Sequence, residues 1–135
     1  MGSKRIRKTL ENDKGQNLVE FALILPLLLL VVIGIAEFGR AWMTKNIMTG
    51  AAREAVRILA VPSGSIQAAS DRADNVLVSA GITTAAKSLN IGSVAYDPVS
   101  VTVTYDFPVL FAGFIPGLDC TTIPIKSTTT MRREY

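Results

Sequence analysis

The chain has 135 residues, of which 49% are hydrophobic, and a formal charge of +3. That length holds one membrane segment and one small folded domain, and excludes two substantial cores. Its one cysteine, Cys120, has no partner for an internal disulfide, and the chain contains no histidine, so the commonest general base and metal ligand is missing. The folded part must therefore hold by packing, with Cys120 either a free or buried thiol or a link between chains.

Charge is concentrated at the start. Lys4, Arg5, Arg7, Lys8 and Lys14 outweigh Glu11 and Asp13, so residues 1–15 carry the whole net excess and the remainder sums to zero. Because this charge sits in a tail beside an apolar run and not on a folded face, it says nothing about nucleic acid. The tail reads as unstructured, and as the end that stays in the cytoplasm.

Phe21 to Ala36 contains no polar side chain. As a helix it is about 24 Å long, somewhat short of the ~30 Å hydrocarbon layer. Extending it from Leu18 to Met43 gives a sufficient span if Glu20, Glu37 and Arg40 lie near the two interfaces. Glu37 and Arg40 are three residues apart on one helical face and form an expected interfacial pair; Trp42 suits the aromatic belt beside them. Pro26 lies inside the span, where it removes a backbone hydrogen bond, and is either a simple kink or a hinge.

Glu20 is the residue an ordinary span explains least. A carboxylate costs on the order of 2.5–3.5 kcal/mol at the bilayer centre and less near an interface. Were the chain cut between Gly15 and Gln16, the new α-amino group would lie one helical turn from Glu20. The acid could then neutralise its own amine or that of a neighbouring subunit, and would complement the positive end of the helix dipole.

These residues resemble a known family. Gly15 followed by Glu20-Phe21 looks like the prepilin processing pattern. The run Val19 to Leu30 with its internal Leu25-Pro26-Leu27, then Gly34 and Glu37-Phe38-Gly39-Arg40, is similar to the TadE-like minor pilins, or pseudopilins, of tight-adherence pilus systems. Ala51-Ala52-Arg53-Glu54-Ala55 and Thr130-Met131-Arg132-Arg133-Glu134 add to the likeness. The resemblance implies a type IV pilin-like subunit in the bacterial inner membrane, cut after Gly15 by a prepilin peptidase, with Glu20 and Phe21 guiding assembly. Its implied partners are other pilin and minor pilin subunits, the inner-membrane assembly platform and the lipid bilayer, with no nucleic acid.

Past the span, Ile47, Met48, Ala51, Ala52, Ala55, Ile58 and Leu59 recur at helical spacing, opposite Lys45, Asn46, Thr49, Arg53, Glu54 and Arg57. The pattern predicts one helix from Leu18 to Val61, stopped by Pro62-Ser63-Gly64. Its apolar stripe is covered either by this chain's own C-terminal domain or by a partner helix. Ser65 then caps a second helix that buries Ile66, Ala69, Ala73, Val76, Leu77 and Ala80 and ends at Gly81.

Thr83 to Gly92 has no strong period and reads as a connection. Val99, Val101, Val103, Tyr105 and Phe107 alternate with Ser100, Thr102, Thr104 and Asp106, which predicts a half-buried strand. A turn at Asp97-Pro98 separates it from a shorter strand near Ser93 to Tyr96. Thr122 to Met131 reads as another strand, at an edge or irregular at Pro124. Between the strands, Pro108 to Leu118 is too broken for a helix and too apolar for an ordinary loop. It either covers the core edge or forms a contact surface, through Phe111 and Phe114, for another pilin subunit or the outer lipid leaflet.

The expected architecture is α+β: a long N-terminal helix, transmembrane then amphipathic, packed on a small C-terminal antiparallel sheet. The expected divisions are a cytoplasmic leader at 1–15, a transmembrane segment at 16–43, its amphipathic continuation at 44–61 and an extracytoplasmic domain at 62–135. No Cys/His cluster, phosphate loop or nucleophile elbow is present, and Asp71 and Asp74 with Arg72 read as a solvated face. The expectation is a non-enzyme with no catalytic residue, metal or cofactor, itself a peptidase substrate. Two other readings stay open: a soluble exported protein cut after Ala36, and an uncut membrane-anchored enzyme, sensor or binding domain.

Overall fold

In the computed structural model the described residues are 3–91, 97–112 and 121–133, with side chains described from Gly15 onward. Helix α1 spans Ser3–Ala60 and α2 spans Ile66–Ser79; strands β1 (Ala86–Asn90), β2 (Pro98–Pro108) and β3 (Thr122–Arg132) follow. The chain divides into two units, residues 1–37 and residues 38–135.

The first unit is helical from Ser3, where the sequence reading expects an unstructured tail. The physical reason lies in its residues: the stretch from Lys4 to Lys14 is rich in good helix formers and holds neither proline nor glycine. From Leu18 to Ile35 its large apolar side chains are exposed except for Leu25 and Ile33, which are half-buried. Helix continues through Pro26.

The second unit has one core. Met48, Ala51, Ala52, Ala55, Val56 and Leu59 of α1 pack with Ala69, Ala73 and Leu77 of α2 and with Val99, Val101 and Val103 of β2. The helix stripe is thus covered by this chain's own elements. The small alanines let two helices and a sheet approach closely, while Met48, Leu59 and Leu77, each at most 2% exposed, fill the volume between them.

Ser65 caps α2 as expected, its hydroxyl accepting from the Ala68 N–H at 3.1 Å. At the other end the Gly81 N–H donates to the Val78 carbonyl and the Ile82 N–H to that of Leu77, both at 2.9 Å. This double closure requires the left-handed conformation that Gly81 adopts, φ +78°. Two members of the expected buried face are corrected: Ile66 is 52% exposed and Ala80 is exposed. Ile66 is the first residue of α2, before the helix has turned its stripe onto α1, and Ala80 is its C-cap.

The sheet is antiparallel throughout, in the order β1-β2-β3. β2 buries Val99, Val101, Val103 and Phe107 and leaves Tyr105 half-buried. β3 is an edge strand with Pro124 opposite Asp106, where the missing N–H is tolerated. β1 corrects the reading of Thr83 to Gly92 as a connection. It pairs with β2 from Ala86↔Thr104 to Asn90↔Ser100. Its inward row is Lys87 and Leu89, flanked by Ala85 and Ile91. Lys87 occupies an inward position by pairing with Asp74 of α2, which hides the alternation from a purely apolar pattern. The strand expected at Ser93 to Tyr96 lies outside the described residues.

Three contacts within this unit set how α1 runs along β3. Arg40 Nη2 donates to the Pro108 carbonyl at 3.4 Å, level with Thr122 in the pairing. Lys45 Nζ donates to the Lys126 carbonyl. Thr49 Oγ1 bonds the Ser127 hydroxyl at 2.8 Å. Advancing from 40 to 49 on the helix advances from 122 to 127 on the strand, so the two run in the same direction. The end of the sheet where β2 closes and β3 opens therefore lies at the Arg40 end of the helix.

Candidate functional site: the membrane-entry helix and the base of the domain

Two groups of expected site residues occupy different parts of the chain. Gly15, Gln16, Glu20 and Phe21 lie on α1 and are all exposed, Phe21 by 59%. The helix places Gln16 and Glu20 four residues apart, on one face and about one turn apart along the axis. Space around Gly15 is open: a side chain there meets nothing within 4 Å. A small residue and, five positions on, a carboxylate are both exposed at the head of the apolar helix.

Among the described residues, one helix is long and apolar enough to cross a membrane, and none of its most apolar stretch is buried. Leu23 (76%), Leu27 (66%) and Ile35 (68%) show a surface that water does not tolerate on this scale. Pro26 is exposed on it.

The second group gathers at the Arg40 end of the domain. The Arg40 guanidinium carbon lies 4.7 Å from the centroid of the Phe107 ring, a cation–π distance. Phe38 and Trp42 stack one turn apart, with ring centroids 6.1 Å apart. Arg40, Met43, Thr44 and Ile47 line one wall of an open groove of about 250 Å³, and Gly81, Ile82, Tyr105 and Phe107 line another. Reading Arg40 as the helical partner of Glu37 misses its contacts with β2. The signal available in the sequence was an aromatic, Phe107, closing the inward row of a strand that must pack on the helix.

Ala112 is buried, at 2%, and belongs to the core edge; Leu110 (63%) and Phe111 (36%) are exposed. Phe114 and Cys120 lie outside the described residues. Asp71 accepts from Gln67 Nε2 at 2.9 Å and Asp74 pairs with Lys87. Among the described residues no group of three His, Cys, Asp or Glu could hold a metal ion.

The model of the family described as TadE-like protein matches residues 15–57. That interval starts at the expected cleavage residue and ends within the buried stripe of α1. A search of the curated proteins and a search of the solved structures return no match.

Proposed function

We propose that this chain, TadE-like over residues 15–57, is a membrane-anchored minor pilin, or pseudopilin, of a tight-adherence pilus. A prepilin peptidase cuts it between Gly15 and Gln16. The remaining helix holds it in the inner membrane, N-terminus in the cytoplasm and the α+β domain outside. There it meets other pilin and minor pilin subunits and the assembly platform, and serves attachment to surfaces. Cutting removes the fifteen residues that hold all of the net charge, so a charge-oriented precursor becomes a neutral subunit able to pack beside others. Pro26 is the hinge in this account, letting the helix adjust when it leaves lipid.

One observation carries the reading. Glu20 lies one turn beyond Gln16 on an exposed helix face, where a new positive charge at residue 16 offsets the cost of keeping the acid in an apolar setting. Glu20→Ala tests it. The variant inserts into membranes as well as the unaltered chain but no longer co-purifies with the pilus subunits or assembly platform. A variant that assembles at the normal level removes the charge-pairing role.

One observation favours a second reading. The folded unit begins at Phe38 and the buried stripe at Met48, so a cut after Ala36 would leave the core whole and release a soluble protein. The family match weighs against it, because more than twenty of the matched residues precede that cut.

A further inference from the structure

We propose that α1 opens locally over residues 12–17 to present the Gly15–Gln16 bond, and that the helix–coil balance of this stretch sets the rate at which the bond is cut. The inference rests on the cleavage part of the reading above and deepens it by naming what regulates that site.

The bond lies inside a helix. α1 runs unbroken from Ser3 to Ala60, so the Gly15 carbonyl accepts from the Val19 N–H, and the Gln16 N–H donates to the Asn12 carbonyl. Hydrolysis adds water to the Gly15 carbonyl carbon and breaks its bond to the Gln16 nitrogen. It leaves a carboxylate on Gly15 and a protonated amine on Gln16. During the attack negative charge develops on the carbonyl oxygen, which then needs donors supplied by the enzyme. In the closed helix that oxygen is engaged by Val19 and covered by the following turn. The turn that carries the bond must come apart before the bond can be cut.

Residue types make this the turn that opens at least cost. Asn12, Asp13, Gly15 and Asn17 are four of the six residues from 12 to 17, and all four are among the poorest helix formers short of proline. Elsewhere in α1 no window of that length holds more than two of Asn, Asp and Gly. Surroundings act in the same direction. Residues 15–24 are all exposed, and a side chain added at Gly15 meets nothing within 4 Å. Gly50 is the contrast within the same helix: its neighbours Met48, Ala51 and Ala52 are each 0% exposed, so tertiary packing holds a turn of similar backbone weakness closed. Local opening concentrates where packing is absent, and here that place coincides with the bond to be cut.

The test uses the full chain, made without the peptidase, in detergent micelles. Membranes containing the prepilin peptidase are added with the chain well below saturation, where the rate follows the open fraction. Mass spectrometry times the loss of residues 1–15, and amide exchange at residues 13–19 reads the opening itself. Asn12→Ala and Asn12→Gly remove the same side-chain amide but shift the helix–coil balance in opposite directions, as do Asn17→Ala and Asn17→Gly. At each position the Gly variant is expected to be cut about fivefold faster than the Ala variant, with the unaltered chain between them and amide exchange in the same order. Equal or reversed rates for the Ala and Gly variants overturn this inference and leave the cleavage reading standing. Rates in the expected order without the matching order in exchange also overturn it. An unaltered chain left uncut between Gly15 and Gln16 by a peptidase that cuts a prepilin control overturns the cleavage reading and this inference together.

Discussion

Arg40 lies over the ring of Phe107 with its guanidinium carbon 4.7 Å from the ring centroid, and the same side chain donates to the carbonyl of Pro108, the next residue, at 3.4 Å. One side chain thus ties the helix to the end of β2 by a cation–π contact and a hydrogen bond. Arg40→Ala removes both and costs about 1–2 kcal/mol. Arg40→Lys keeps the charge but not the plane and recovers only part of it. Urea unfolding of the full chain in detergent micelles, followed by amide exchange in β2, measures the order: unaltered, then Lys, then Ala.

Thr49 and Ser127 share a 2.8 Å hydrogen bond between hydroxyls, and Thr49 is also within 2.8 Å of the Lys45 carbonyl. Ser127 is the one buried polar side chain among the described residues. Thr49→Val leaves that hydroxyl unpaired and lowers stability by about 1–3 kcal/mol. The double variant Thr49→Val with Ser127→Ala loses less than the two single changes summed, because each partner's removal spares the other. Additive losses in the same unfolding assay would show that the bond contributes nothing of its own.

Two glycines of α1 and the turn after it respond in opposite ways. Gly50 lies within the helix, and a side chain there meets nothing within 4 Å; Gly50→Ala raises stability by about 0.5–1 kcal/mol. At Gly64 an added methyl overlaps the Ile58 carbonyl oxygen. That atom belongs to helix backbone and cannot swing aside, so Gly64→Ala shifts the start of α2 and lowers the midpoint of unfolding.

Space around Gly15 is open, so the fold accepts a bulky residue there. Gly15→Phe is expected to insert and fold normally yet remain at precursor mass, because a peptidase subsite shaped for glycine refuses the ring. Mass spectrometry of membrane fractions with and without the peptidase reads the outcome. Cutting at the normal rate would remove Gly15 from the recognition site.

Much of the fold follows from periodicity alone. The stripe Met48, Ala51, Ala52, Ala55 and Leu59 announces a helix packed on one face, and strict alternation from Val99 to Phe107 announces its partner strand. β1 escapes because Lys87 takes an inward place that a periodic reading reserves for an apolar residue. Only the tertiary pairing with Asp74 makes that place tenable. Ile66 fails in the opposite sense, since helical spacing marks it as core while its place at the first turn leaves it in solvent. The base of the domain was legible as residue types, an arginine, aromatics and an apolar loop. Which of them meet depends on the direction in which α1 runs along β3, and no local pattern encodes that.

Pairing of Glu20 with a new amine requires that the mature chain begin one helical turn before it. Intact-mass measurement with N-terminal sequencing of the protein from membranes tests it most directly. The account predicts a chain beginning at Gln16, its free amine one turn from Glu20. A mature chain beginning at Glu37, or one retaining Met1 or Gly2, would contradict it.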